Sequence, residues 1–170
     1  MRMIFDKEVF ITDRQRELAK KLMLKKELKN SVMEGTRNFQ GVLAEIVVFD
    51  YYPSGDHDPT YNHDGWILDA SVDVKMIYFA PKYVLNPMWG CVIFDINTAQ
   101  DCDYYCFTSL AKDHKRLYIH GFLPPEVFYA NAEFGRKGEV NPNSSKGIFT
   151  FRGDCWFMTI ASLKILAENM

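Results

Sequence analysis

The chain contains no run of about 18 apolar residues, the length that spans a bilayer. Its first ten residues, MRMIFDKEVF, mix charges with apolar side chains and form no secretory h-region. Together these two absences set the expectation of a soluble, cytoplasmic protein with no membrane partner. Cysteine is scarce as well. Cys91, Cys102, Cys106 and Cys155 are irregularly spaced, without a CxxC pair or a disulfide-dense framework, so reduced thiols are expected. Nor is there an excess of one charge: the net charge of −2 excludes a protein that coats nucleic acid by bulk electrostatics. No internal repeat is visible. What is present is a chain of 170 residues that is 48% hydrophobic, enough to bury one substantial core. A single domain is expected over 1–170, with an N-terminal helical segment (1–37), a core (38–122) and C-terminal additions (123–170).

The stretch TDRQRELAKKLMLKKELKN places Thr12 and Gln15 in capping-box spacing ahead of an apolar stripe of Leu18, Leu22, Met23 and Leu28, which predicts a helix. Its lysines, Lys20, Lys21, Lys25, Lys26 and Lys29, read as a solvated face. After the Gly35 break, Phe39, Val42, Leu43, Ile46 and Val47 recur at helical spacing as far as Pro53, giving a second helix that carries Glu45. The loop PSGDHDPTYNHDG follows. Strands are then expected at Trp66–Leu68, Val72–Phe79, Cys91–Ile96, Tyr104–Leu110 and Leu117–Phe122, forming a five-stranded sheet of mostly consecutive segments. PPEVFYANAEF reads as a short helix opened by prolines, GRKGEVNPNSSKG as a mobile polar loop, and the tail as a strand followed by a last helix.

One strand does not fit a plain core. In LDASVDVKMIYF, Val72, Val74, Met76 and Ile77 read as buried, yet Asp73 and Lys75 put opposite charges two positions apart on one face. An unpaired ion taken out of water costs several kcal/mol, so such a strand needs a salt bridge, a metal or a solvated cleft. If Asp69 and Ala70 form a two-residue turn, Trp66 lies opposite Asp73 and Asp64 opposite Lys75, and Asp64 joins their face. Opposed residues of an antiparallel pair have Cβ atoms about 5 Å apart, within reach of a shared cation.

These residues carry a resemblance. Ala44 and Glu45 on the helix, then HDG at Asp64, then VDVK at Asp73 and Lys75, resemble in their order the PD-(D/E)xK nuclease superfamily, and compact phage-type members in particular. The resemblance runs over roughly Asn38–Phe122, and RLYIHGFLPPEVF looks like the return strand and helix of such members. His63 stands where the family usually has proline before the first Asp. The resemblance implies an α/β restriction-endonuclease-like fold, a mixed five-stranded sheet flanked by helices. It implies a Mg²⁺-dependent DNA nuclease, with Mn²⁺ able to substitute, acting as an endonuclease. Glu45, Asp64, Asp73 and Lys75 would be catalytic, with Asp64, Asp73, Glu45 and the Val74 carbonyl around the metal.

The residue types suit that chemistry independently. A phosphodiester repels a hydroxide nucleophile, and charge grows further as the bond breaks, so a hard cation held by one or two carboxylates is an ordinary solution. Lys75 would orient the attacking water, lower its pKa or stabilise phosphate oxygens. Other readings stand beside this one. Asp73 and Lys75 could be a strand-surface ion pair. His57, Asp58, His63 and Asp64 offer a rival metal loop, although their spacing matches no zinc motif and a hard-oxygen site needs no imidazole. Lys82, Lys112, Lys115 and Arg116 are the candidate phosphate contacts. Aromatic residues of YFAPKYVLNPMWG are candidates for base stacking. The overall acidity suggests a transient grip on DNA, a homodimer or a partner protein. A structure-specific recombination or junction nuclease is the alternative within the fold, and a non-catalytic nucleic-acid-binding or assembly module the alternative outside catalysis.

Overall fold

A computed structural model describes residues 7–23, 39–58, 63–79, 86–95, 100–142 and 150–169. The expected capping box forms: the Thr12 hydroxyl accepts the Gln15 N–H at 3.2 Å, and Gln15 Oε1 accepts the Thr12 N–H at 2.9 Å. It opens helix α1 (Asp13–Met23). Helix α2 (Phe39–Tyr51) buries Val42, Leu43, Ala44, Ile46, Val47, Val48 and Phe49. A helix apolar on nearly every side is one packed into a core, and Glu45 is therefore a carboxylate carried into apolar surroundings. Gln15 Nε2 donates to Asp50 Oδ2 at 3.1 Å and ties the two helices together.

Strands β1 (Lys7–Phe10), β2 (Gly55–Asp56), β3 (Gly65–Ile67), β4 (Ala70–Phe79), β6 (Tyr104–Ala111) and β7 (Arg116–Leu123) build one mixed sheet in the order β1-β7-β6-β4-β3-β2. A second sheet, β5-β9-β8, combines β5 (Gly90–Phe94), β9 (Cys155–Thr159) and β8 (Glu133–Gly135). Helices α3 (Pro125–Asn131) and α4 (Ile160–Glu168) complete the described elements, the latter capped by the Thr159 hydroxyl accepting from the Ser162 N–H at 3.0 Å.

The protein is thus α/β, with each expected strand close to its expected place, but the sheet is not five consecutive strands. β4 pairs with β6 in parallel, from Val72 against Tyr104 to Phe79 against Ala111. A parallel pair cannot be joined by a tight turn; its crossover takes a dozen or more residues. The segment 80–103 is that crossover, so β5 within it leaves the main sheet and pairs with β9 instead. β1, short and half charged, carries no clear periodic signal and is held as an edge strand by β7.

The two faces of β4 go to different cores. Val72, Val74 and Met76 pack with α2. Ile77 joins Tyr105, Phe107, Phe128, Ile160 and Leu163 beneath the second sheet, α3 and α4. Alternation puts Asp73 and Lys75 on this second, aromatic side.

Candidate functional site

The β3–β4 hairpin turns at Leu68 and Asp69, one position earlier than expected, and pairs Gly65 with Val72 and Ile67 with Ala70. Leu68 takes the left-handed φ of 56° that the first turn position requires. Continued by one residue, this register sets Asp64 across from Asp73 rather than from Lys75. The correction is a slip of two residues, and because strand faces repeat every two, Asp64, Asp73 and Lys75 keep their common face. The Asp64 N–H donates to the Val72 carbonyl at 2.9 Å, and Asp64 Oδ2 accepts the Val74 N–H at 2.8 Å. Val74, expected to offer its carbonyl, thus brings its amide N–H to the site. Gly65 follows from packing: a Cβ there would strike the Asp56 carbonyl and the Phe49 ring.

Asp73 is 2% exposed. Its Oδ1 lies 3.0 Å from Lys75 Nζ, and both side chains are largely buried, which excludes the strand-surface ion pair. Its Oδ2 is buried without a hydrogen-bond partner. Asp64 is half-buried as a residue, but its carboxyl is enclosed by protein. That burial, then the neighbouring charges of Glu45 and Asp73, push the Asp64 carboxyl well above the usual carboxylate range, against the opposing pull of the Val74 N–H and Lys75.

Two partners outside the expected set hold the charged groups. His57 Nε2 lies 3.0 Å from Glu45 Oε2, with both side chains mostly buried and the imidazole against Phe49. Lys75 Nζ donates to Gln100 Oε1 and sits 5.2 Å from the centre of the Tyr105 ring. Gln100 had no sequence signal: it follows no motif and reaches Lys75 only because the crossover returns there. Cys102, next to this return, has its thiol pushed up to about 12 by burial and the Asp73 charge, so it stays protonated.

The rival loop comes apart. His57 goes to Glu45, while the His63 ring lies 4.9 Å from that of Trp66. The phosphate-contact candidates also stay apart from the carboxylates. Lys112 and Lys115 lie in the β6–β7 turn and Arg116 opens β7, where it lies 3.7 Å from Glu8. That turn sits beside the end of β4 at Phe79, six residues beyond Asp73, roughly 20 Å at about 3.3 Å per strand residue. Lys82, Lys25, Lys26 and Lys29 fall outside the described residues, as do 80–85 of the aromatic loop and 143–147 of the polar loop. No helix among the described residues is long and apolar enough to cross a membrane.

Among the described residues no three His, Cys, Asp or Glu side chains are gathered as a metal-holding group. The donor set nevertheless fits a hard cation. Asp64 feels the like charges of Glu45 and Asp73 against the single ammonium of Lys75, and Asp73 leaves a buried oxygen unbonded, so a further positive charge between Asp64 and Asp73 would offset the repulsion. Comparison with protein-family models, with curated proteins and with solved structures finds no match to this chain.

Proposed function

We propose that this chain is a divalent-metal-dependent nuclease on a restriction-endonuclease-like fold, hydrolysing DNA phosphodiesters with water. The observation that carries the reading is the orphaned Oδ2 of buried Asp73, directly across the hairpin from a carboxyl already burdened by like charges. A buried acceptor left unmade costs about 1–3 kcal/mol, and a site that tolerates this beside excess negative charge is arranged for a cation absent from the folded chain alone.

Asp64 and Asp73 would hold Mg²⁺ or Mn²⁺, with Glu45 completing the set directly or through water. The bound ion would neutralise phosphate charge and make water more acidic. The remaining work falls to the chain. Lys75, held by Asp73 and Gln100, places its ammonium beside the Asp73 carboxylate, where it can orient water or a non-bridging phosphate oxygen. Water adds to phosphorus, one P–O ester bond breaks, and the departing oxygen takes a proton. His57 keeps one Glu45 oxygen engaged and so limits how that carboxylate can turn.

The test is incubation with plasmid, linear, branched and single-stranded substrates in Mg²⁺, Mn²⁺ and EDTA, beside calorimetry of metal binding. Cleavage with either ion, its loss in EDTA and loss of metal binding in Asp73→Ala are expected. Ungathered carboxylates favour one second reading, a nucleic-acid-binding module without catalysis. DNA binding with no product in any metal would select it.

A further inference from the structure

Aromatic rings lead outward from Lys75 to the surface. Tyr105, whose ring lies beneath the ammonium, is buried; its hydroxyl is 3.2 Å from that of Tyr129, and their ring centres are 6.2 Å apart. Tyr129 meets Trp156 at 5.7 Å, and Trp156 meets Phe134, its cross-strand partner in the second sheet, at 5.1 Å. Tyr129 and Trp156 are partly exposed and Phe134 is 43% exposed. The row therefore joins α3, β9 and β8, and begins at the candidate catalytic ammonium.

The outer end of this row is bordered by cations. Arg136 and Lys137 follow β8, Arg152 precedes β9, and all three are exposed. Their neighbouring carboxylates are occupied by the backbone: Glu139 Oε2 accepts the Arg136 N–H and Asp154 Oδ1 the Lys137 N–H, each at 2.8 Å. The charged ends of Arg136, Lys137 and Arg152 make no ion pair among the described residues, although exposed Glu133, Glu139 and Asp154 stand near them in sequence. Exposed ring surface beside uncommitted cations matches a ligand with π-faces and phosphates. A duplex hides its base faces inside the stack and presents only edges, whereas an unpaired strand offers both faces and backbone.

We propose that Phe134, Trp156 and Tyr129 form a stacking wall for unpaired bases, with Arg136, Lys137 and Arg152 on the phosphates, so that the strand entering the Lys75 site is single-stranded or locally opened. The identity of that strand as substrate rests on the nuclease reading; its binding does not.

The experiment is fluorescence anisotropy in EDTA, where no cleavage occurs, using a labelled oligothymidylate of about 15 nucleotides and a duplex of equal length. The single strand is expected to bind more tightly. Phe134→Ala, an exposed position, should weaken single-strand binding by about 5-fold or more, the lower end of what one lost base stack costs, with duplex binding and melting temperature unchanged. Phe134→Tyr should restore it, and Arg136→Ala should make the salt dependence shallower by about 0.7 in log–log slope. Equal single-strand binding by Phe134→Ala, or tighter binding of the duplex, overturns the proposal. So does a Phe134→Ala protein whose only change is loss of self-association in sedimentation, which assigns the patch to a protein partner. Single-strand binding lost in Phe134→Ala while no metal supports cleavage by the parent keeps the wall and sinks the nuclease reading; the reverse pattern does the opposite.

Discussion

Replacing Asp64 by Asn removes a carboxyl that Glu45 and Asp73 oppose and only Lys75 favours, and it should make the metal-free protein more stable. The Asp64 carboxyl is enclosed, and its titration is raised first by burial and then by Glu45 and Asp73. Opposed residues across an antiparallel pair sit about 5 Å apart, where two like charges repel by about 3 kcal/mol at an effective dielectric constant of 20. The attraction to Lys75 opposes this, while the bond from the Val74 N–H survives because the Asn carbonyl oxygen can accept it. A net gain of about 1–3 kcal/mol is expected, or roughly 3–10 °C in melting temperature for a chain of this size. The pH dependence carries the same signature. A raised carboxyl means that the folded state holds its proton more tightly than the unfolded chain, so wild-type stability rises as pH falls from the folded pKa toward the ordinary value near 4. Asn has no such titration, and its advantage over Asp64 should be full above the raised folded pKa of Asp64 and shrink as pH falls from there toward 4. Urea denaturation in EDTA at several pH values measures the difference. Adding Mn²⁺ should then reverse the ranking, because only wild type gains binding free energy. An Asp64→Asn protein that is less stable at neutral pH, or a difference independent of pH, would refute the electrostatic account.

Lys75→Met should still bind metal and DNA while cleavage falls by about 10²-fold or more, as for a lost electrostatic stabiliser; parental cleavage would remove Lys75 from the mechanism. His57→Ala should weaken Mn²⁺ binding by about 10-fold or more in calorimetry with His57→Gln nearer wild type, since ligating carboxylates depend on their outer hydrogen bonds; equal affinity in all three would leave the Glu45 pair without a metal role. His120 is buried against Ser109 and its imidazole is pushed down to about 4, so the unfolded chain takes up a proton first as pH falls. That contribution is present above pH 6.5 and lost on the way to pH 4, about 3 kcal/mol in all, and a stability difference between wild type and His120→Gln that does not change over this range would contradict it.

Local chemistry was sufficient for the elements. The Thr12–Gln15 box, the apolar spacing of α2 and the strands around Trp66, Val72, Tyr104 and Leu117 depend on neighbours in sequence, and each lies close to where periodicity puts it. The common face of Asp64, Asp73 and Lys75 was legible for a sharper reason: a two-residue error in the hairpin register leaves side-chain faces unchanged. Tertiary structure alone decided that β4 and β6 run parallel, that β5 leaves for a second sheet, that His57 reaches Glu45 and that Gln100 reaches Lys75. It also separated Lys112, Lys115 and Arg116 from the carboxylates, though all had looked equally available as charges. These are contacts between residues far apart in sequence, fixed by which apolar faces must be buried together, and no local period records which distant partner a buried charge will find.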